Sequence, residues 1–413
     1  MHEFKFRRGV LWAESVPVRR IAQAVGTPCF VYSRQTVLDH TRKLKAAFQP
    51  LDPLICFSMK ANANLAVLKL LVDEGCGLDI VSGGELFKAR KVGCPSNRIV
   101  FASVGKTPSE IEAALRHPIL FFNVESVAEL ESINRIAGRL RRRPDVCLRI
   151  NPDIDPKTHR FIATGKKGSK FGMDLAEAER TFLHRERFHH LRIRGIHIHI
   201  GSQITQAGPY LAALAKIEWL VGRLRRSGVP LTFLNLGGGL GIVYKDEKPQ
   251  NAQQFAKAVL PILSRIGLRL ILEPGRFIVG NAGILVARVL YIKESGGKKF
   301  VIVDSGMNDL IRPSLYGAYH EVVPVNGKRK AKMVADIVGP VCESGDFLAH
   351  DRRLARVEAG DYVAVLGTGA YGFTMSSNYN ARPRACEVLV EGKTFRVVRR
   401  RETYEDLIRQ EVT

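Results

Sequence analysis

Between residues 54 and 275 the chain alternates short apolar, β-rich runs with longer stretches of helical period, and it does so eight times. The runs are "LICFSMK" (54–60), "GLDIVSG" (77–83), "IVFAS" (99–103), "LFFNV" (120–124), "VCLRIN" (146–151), "IRGIHIHIG" (193–201), "FLNLGGG" (233–239) and "LRLILEPG" (268–275). Between them, segments such as "NLAVLKLLVDEG", "ESVAELESINRIAGRL" and "PYLAALAKIEWLVGRLRRSG" place apolar residues at i, i+3, i+4 and i+7, the spacing of one helix face. A strand followed by a helix returns the chain to the same end of the sheet, so successive strands pair in parallel. Eight such units point to an α/β fold, a (β/α)8 TIM-like barrel, whose active site lies at the C-terminal ends of its strands.

After about residue 281 the pattern changes to strands without intervening helices: "ILVARVLYIKES", "KKFVIVDSG", "MVADIVGPVC", "YVAVLGTG" and a hairpin "ACEVLVEGKTFRVVRR" turned at Glu391-Gly392-Lys393. Such runs read as a separate, mainly β domain of sandwich or barrel type. The expected organisation is therefore residues 1–35 as strands that join the β domain, 36–280 as the barrel, and 281–413 as the C-terminal β domain.

Composition narrows the function classes. The 413 residues are 46% hydrophobic, enough for two packed cores. They contain no apolar run of membrane-spanning length and no signal-peptide pattern at the start, so a cytoplasmic location and no membrane partner are expected. Cys29, Cys56, Cys76, Cys94, Cys147, Cys342 and Cys386 are odd in number, scattered, and form no C-x-x-C pair. That argues against a disulfide framework and a structural zinc site, and it leaves most of them as buried small hydrophobes. The net charge of +23 favours acidic ligands. Its densest run, "RLRRRPD" (139–145), ends an amphipathic segment, so a solvated helix end is expected there rather than a nucleic-acid site.

The barrel map gives the unusual residues a common address. Lys60 ends the first strand, His199 the sixth, Gly237, Gly238 and Gly239 follow the seventh, and Glu273-Pro274-Gly275-Arg276 follow the eighth. A lysine on an apolar strand is desolvated, which lowers its pKa and frees a neutral amine for Schiff-base chemistry; taken alone, it could equally snorkel to solvent. Consecutive glycines let bare backbone N–H groups approach an anion, although a tight turn needs glycine too. Together with "LEPGRF" on the next strand they suggest a monophosphate held at the mouth. An amine, a phosphate site and a carboxylate, Glu273, are the parts that pyridoxal 5′-phosphate requires, the carboxylate keeping the pyridine nitrogen protonated. His199 is placed to stack on such a ring.

"FSMKANAN", "DIVSGGEL", "HIHIGSQIT", "NLGGGLGI", "EPGRFIVG", "GPVCESGD" and "GAYGFTMSSNYNARPR" resemble, in order and spacing, the motifs of the fold-type III pyridoxal-phosphate decarboxylases, over residues 5 to 400 or so. The resemblance implies that Lys60 forms the cofactor Schiff base, that His199 stacks on the ring, and that Ser202, Gly239, Gly275, Arg276 and Tyr371 hold the phosphate. It implies that Glu273 meets the pyridine nitrogen. It further implies a homodimer with shared sites, in which Cys342, the expected proton donor, and Glu343 act in the other subunit's site.

The resemblance also implies a substrate, meso-diaminopimelate, converted to L-lysine and CO2. Its distal carboxylate is expected to be clamped by Arg276, Arg312 and Tyr316, the last two from "MNDLIRPSLYGAYH", because guanidinium geometry suits a carboxylate; its distal ammonium is expected at Glu343. Ornithine, arginine or carboxynorspermidine are the alternative substrates. A barrel racemase is disfavoured by Glu273, where racemases of this kind carry an arginine, and a non-catalytic regulator by the intact Lys60 and glycine loop. Two departures stand out: Phe57-Ser58-Met59 where many relatives have Tyr-Ala-x, and "FASVGKT" in place of a Gly-Asn-x-Lys version. Neither touches an atom expected to be catalytic.

Overall fold

The computed structural model describes residues 2–156, 164–165, 168–327 and 331–412. The chain divides into two units, one of residues 41–241 and 248–277, the other of residues 1–40, 242–247 and 278–413.

The first unit is a closed barrel of eight parallel strands in sequential order: β1 (Leu54–Ser58), β2 (Gly77–Ile80), β3 (Ile99–Phe101), β4 (Phe121–Val124), β5 (Asp145–Arg149), β6 (Arg192–His197), β7 (Phe233–Asn235) and β8 (Arg269–Leu272). It closes through Ile271 opposite Leu54 and Leu272 opposite Ile55. All eight expected strands are present, each shorter than its apolar run. Helices that bury one apolar face follow most of them; Leu65–Asp73, for example, buries Val67, Leu68 and Leu71 and starts at Asn64, whose side chain accepts the Ala66 N–H at 2.9 Å.

Cys56, Val100, Phe121, Cys147, Phe233 and Ile271, drawn from six strands, fill the barrel interior. Phe121 and Phe233 meet at 5.3 Å between ring centroids, within the range of a favourable aromatic pair. The layer leaves no spare room: a Cβ at Gly195 would lie 2.2 Å from Cys147 Sγ. The cysteines are buried at six of seven positions, and Cys342 is the exposed one.

In the second unit, strands run in the order Phe347–Ala355, Lys332–Val338, Lys298–Val303, Gly283–Ser295, Cys29–Ser33, Cys386–Glu391, Thr394–Arg399, with Val322–Pro324 and Tyr362–Leu366 paired off this path. Cys29–Ser33 is inserted in the middle of the sheet, parallel to Cys386–Glu391. Phe4–Arg7, Val10–Ala13 and Val16–Pro17 instead make a small sheet of their own. The hairpin closes with Glu391 opposite Thr394. Phe347–Ala355 has no counterpart in the sequence reading: its centre, His350-Asp351-Arg352-Arg353, is polar and largely exposed, which hides the strand period. Among the described residues no helix is long and apolar enough to cross a membrane.

Candidate active site

The barrel strands carry apolar residues through their length and polar ones where they end. Ser58, Asp79, Asn123, Arg149, His197, Asn235 and Glu273 come from the ends of seven different strands, and all are buried. Such a layer persists only if its members satisfy one another.

Glu273 is its centre. Its Oε1 accepts from Asn123 Nδ2 at 3.0 Å and Asn235 Nδ2 at 2.5 Å. Its Oε2 lies 3.2 Å from His197 Nε2, close but not aligned as a hydrogen bond. Burial works against the charge on Glu273, but the nearness of His197 and the Asn235 hydrogen bond outweigh it and hold the carboxyl at about 2. At neutral pH the barrel mouth therefore presents a fixed anion.

His199 lies two residues beyond β6 rather than at its end. The Gly238 N–H donates to its Nδ1 at 3.1 Å, which leaves the ring proton on Nε2. Burial, then Lys60 and Arg149, push its pKa well below the usual imidazole value, so the ring is neutral. Its carbonyl is pinned by Thr164 Oγ1 at 2.7 Å, with Arg149 Nη2 at 3.5 Å. Arg149 is in turn paired with Glu125 at 2.8 Å.

The glycine loop is built differently from the sequence expectation. Gly237 N–H donates to Asn235 Oδ1 at 2.9 Å and Gly238 N–H to His199, so neither is free to cradle an anion. These two glycines are required by close packing instead. At Gly237, which has φ +66°, a Cβ would meet Ile198 O at 2.5 Å and His199 Nδ1 at 2.8 Å, and at Gly238 it would meet Glu273 O at 2.1 Å. The loop thus sets the positions of His199 and Glu273, and Gly239 is the member left to offer its N–H. Nearby, Arg276 is buried with Nε 3.3 Å and Nη2 3.1 Å from Ser202 Oγ. Gly275 is pressed against the end of β1, 3.0 Å from Ala61 Cβ by the same construction, and Pro274 O accepts from Ser58 N at 3.0 Å.

Lys60 departs from expectation in one respect. β1 stops at Ser58, residues 59–61 turn in a 3-10 helix, and Lys60 is exposed on the rim rather than desolvated within a strand. What is desolvated is its neighbour Asp79. That carboxyl takes a 2.7 Å hydrogen bond from Ser58 Oγ on one oxygen and has no partner on the other. Burial first, then the Glu273 charge, raises its pKa well above the usual value, against the pull of Lys60 and the Ser58 bond. Ser58, one of the two sequence departures, thus does reach the site. The other departure supplies Lys106, fully buried and held by Ser103 O (2.9 Å), Asn123 O (2.7 Å) and Glu129 (2.6 Å). Asp79, Asn123, Arg149, His197 and Asn235 were not singled out from the sequence. The signal was there: a polar residue at the end of each apolar run.

The remaining expected residues belong to the second unit. Arg312 is buried, donates to His320 Nε2 at 2.7 Å, and stacks 4.7 Å above the Tyr244 ring; Tyr316 ends the same short helix, Arg312–Tyr316. Tyr371 is held at φ +57°, a left-handed conformation that costs a bulky residue about 1–2 kcal/mol and is retained where position matters. Cys342 and Glu343 are both exposed on one loop. Cys342 N–H donates to Asn380 Oδ1 at 2.8 Å, and Glu343 accepts from Tyr379. Buried Asp346 ties that loop down through Met307 N and Val341 N, both at 2.6 Å.

A family model described as "Pyridoxal-dependent decarboxylase, pyridoxal binding domain" matches residues 34–280. The chain belongs to the pyridoxal-dependent decarboxylase family. It is 49% identical over 405 residues to the diaminopimelate decarboxylase of Aquifex aeolicus, covering 98% of this chain and 96% of that one. To that of Neisseria meningitidis serogroup A it is 46% identical over 402 residues, covering 97% and 99%. A solved structure of diaminopimelate decarboxylase from Helicobacter pylori complexed with L-lysine superposes with a TM-score of 0.92 at 41% identity, covering 95% of this chain and 99% of that chain.

Pyridoxal phosphate is the family's cofactor, and the barrel mouth fits it. Glu273, kept ionised by its neighbours, is the counter-charge a protonated pyridine nitrogen needs. The Lys60 amine stands on the rim, and Gly239 N–H, Ser202 and Arg276 are donors suited to a phosphate.

Proposed function

We propose that this chain removes one carboxylate of meso-diaminopimelate as CO2 and leaves L-lysine. The observation that carries the reading is Glu273: a buried carboxylate held at about 2 by His197 and Asn235 and also bonded by Asn123, at the mouth of a barrel whose family relatives named above are diaminopimelate decarboxylases. When bound, pyridoxal phosphate supplies an electron sink for the pair left behind as a carboxylate departs.

Each residue then has a role. Lys60 would hold the cofactor, the neutral His199 ring would lie against it, and Ser202, Gly239, Gly275, Arg276 and Tyr371 would hold its phosphate. Glu273 stays ionised at working pH, so it would favour a protonated ring nitrogen on the bound cofactor. Arg276 is committed to Ser202 and suits the phosphate, which leaves the distal carboxylate of the substrate to Arg312 and Tyr316. For Arg312, the Tyr244 ring and His320 fix the guanidinium in place. The chain works as a homodimer in which Cys342 of the partner subunit returns a proton to the substrate Cα and Glu343 of the partner subunit takes the distal ammonium. What supports this is that Cys342 is the exposed cysteine of the seven and stands beside an exposed carboxylate on a firmly anchored loop.

The test is CO2 release by the purified holoenzyme from meso-diaminopimelate, ornithine, arginine and lysine. A clear preference for meso-diaminopimelate is expected, and a higher rate with any of the other three overturns the substrate assignment.

A further inference from the structure

The opposite end of the barrel, one strand length or about 17–20 Å from the mouth, holds a groove that the reaction does not use. It encloses about 650 Å3 and is lined by Arg143, Arg185, Arg192 and Arg194, with Glu186 the one acid in the lining among the described residues. Its floor is Phe188, Leu191 and Ile193, all buried. Arg143 comes from the basic run 139–145, the densest part of a positive charge for which the decarboxylation has no need.

The groove's charges are unbalanced. Arg192 pairs with Asp145 at 2.6 Å, and Arg194 reaches the same oxygen at 3.7 Å while its Nε donates to Thr232 Oγ1 at 3.1 Å. Arg185 donates to two carbonyls, Phe182 O and Gly228 O, both at 3.2 Å. Those bonds fix the fork and leave three of its five N–H donors open. Arg143 makes no ion pair among the described residues. Glu186 approaches His184 at 3.7 Å. Four guanidinium groups thus share two carboxylates, Asp145 and Glu186, which leaves a local charge of +2 inside a concave site.

We infer that this groove binds a small anion bearing two or more phosphate groups. Guanidinium forks match phosphate oxygens two at a time, and a single carboxylate or phosphate would leave positive charge uncompensated. The phosphate chain can come from an inorganic polyphosphate or from a nucleoside triphosphate whose base rests on the apolar floor; the recognised chemistry is the same.

The experiment is calorimetric titration of the pyridoxal-phosphate-loaded protein with inorganic tripolyphosphate, ATP and citrate at low and high salt. Saturable, salt-sensitive binding of one tripolyphosphate per chain is expected, weakened about tenfold, equivalent to about 1.4 kcal/mol, in Arg143→Ala/Arg185→Ala, and unchanged in Arg396→Ala/Arg400→Ala, which removes an equal charge elsewhere. Arg143→Ala alone, at an exposed and unpaired position, serves if the double variant folds poorly, and CO2 release stays at the wild-type rate in either. ATP binding alongside tripolyphosphate supports recognition of the phosphate chain. Citrate binding as tightly as tripolyphosphate, undiminished binding in the variants, no saturable binding, or competition with the amino-acid substrate each overturns the inference.

Discussion

If Asn235 is what keeps Glu273 ionised, removing its amide must cost stability in a pH-dependent way. The 2.5 Å contact is a charge-assisted hydrogen bond, worth about 1.5–3 kcal/mol, and at about 1.4 kcal/mol per pKa unit its loss in Asn235→Ala moves the Glu273 carboxyl from about 2 to about 3–4. Because the folded pKa is depressed below the ordinary 4.5, its contribution to stability is present above pH 4.5 or so and disappears as pH falls through the folded value. Wild type and variant should therefore differ by about 1.5–3 kcal/mol at pH 7, and the gap should narrow once pH drops below about 4, where the variant's carboxyl takes up a proton first. Urea unfolding of the cofactor-free protein at a series of pH values, followed by the fluorescence of Trp219 on the barrel helix Gly208–Arg226, measures this. A gap that stays constant with pH would assign the loss to packing around Asn235 and refute the reasoning.

Asp79 should behave in the opposite sense. Its pKa is raised by burial and by Glu273, so its stabilising contribution is complete below about pH 3.8 and is lost as pH rises through the folded value; Asp79→Asn should gain stability relative to wild type on going from pH 5 to pH 8, and a constant difference contradicts this. Gly237→Ala should destabilise by about 2–5 kcal/mol, from the left-handed backbone and from a Cβ forced against Ile198 O and His199, and should weaken pyridoxal phosphate binding measured by its absorbance; a loss under about 1 kcal/mol would mean the loop relaxes freely. Lys60→Ala and Cys342→Ala, each inactive alone, should regain about a quarter of wild-type activity when mixed, because half the dimers are hybrids with one intact site; no recovery argues against sites shared between subunits.

The barrel was legible because each strand is an apolar run bounded by helix. The ends were not, because the residues after Ser58, His197 and Asn235 leave the ladder while staying apolar or small: they turn inward to build the mouth, and hydrophobicity alone does not mark where pairing stops. The same ambiguity hid the polar layer. Asn123 in "FFNV" and Asn235 in "LNL" look like isolated interruptions, and only the closed barrel brings them to one carboxylate. The glycine loop reads in the sequence as a set of bare donors for an anion, with a tight turn as the alternative, and nothing in "GGG" reveals that Asn235 and His199 already occupy two of the N–H groups. Lys60 illustrates the converse: its strand context suggested burial, yet the 3-10 turn at 59–61 lifts it to the rim and leaves Asp79 beneath as the desolvated group.

The central claim is that this mouth releases CO2 and returns one proton to the carbon that lost it. Incubating the holoenzyme with meso-diaminopimelate in deuterated water and reading the products by NMR tests it directly. L-lysine carrying one deuterium at Cε, the carbon that lost its carboxylate, and formed one for one with CO2 is expected. Diaminopimelate that gains deuterium at Cα without loss of a carboxylate would be the signature of a racemase and would contradict it.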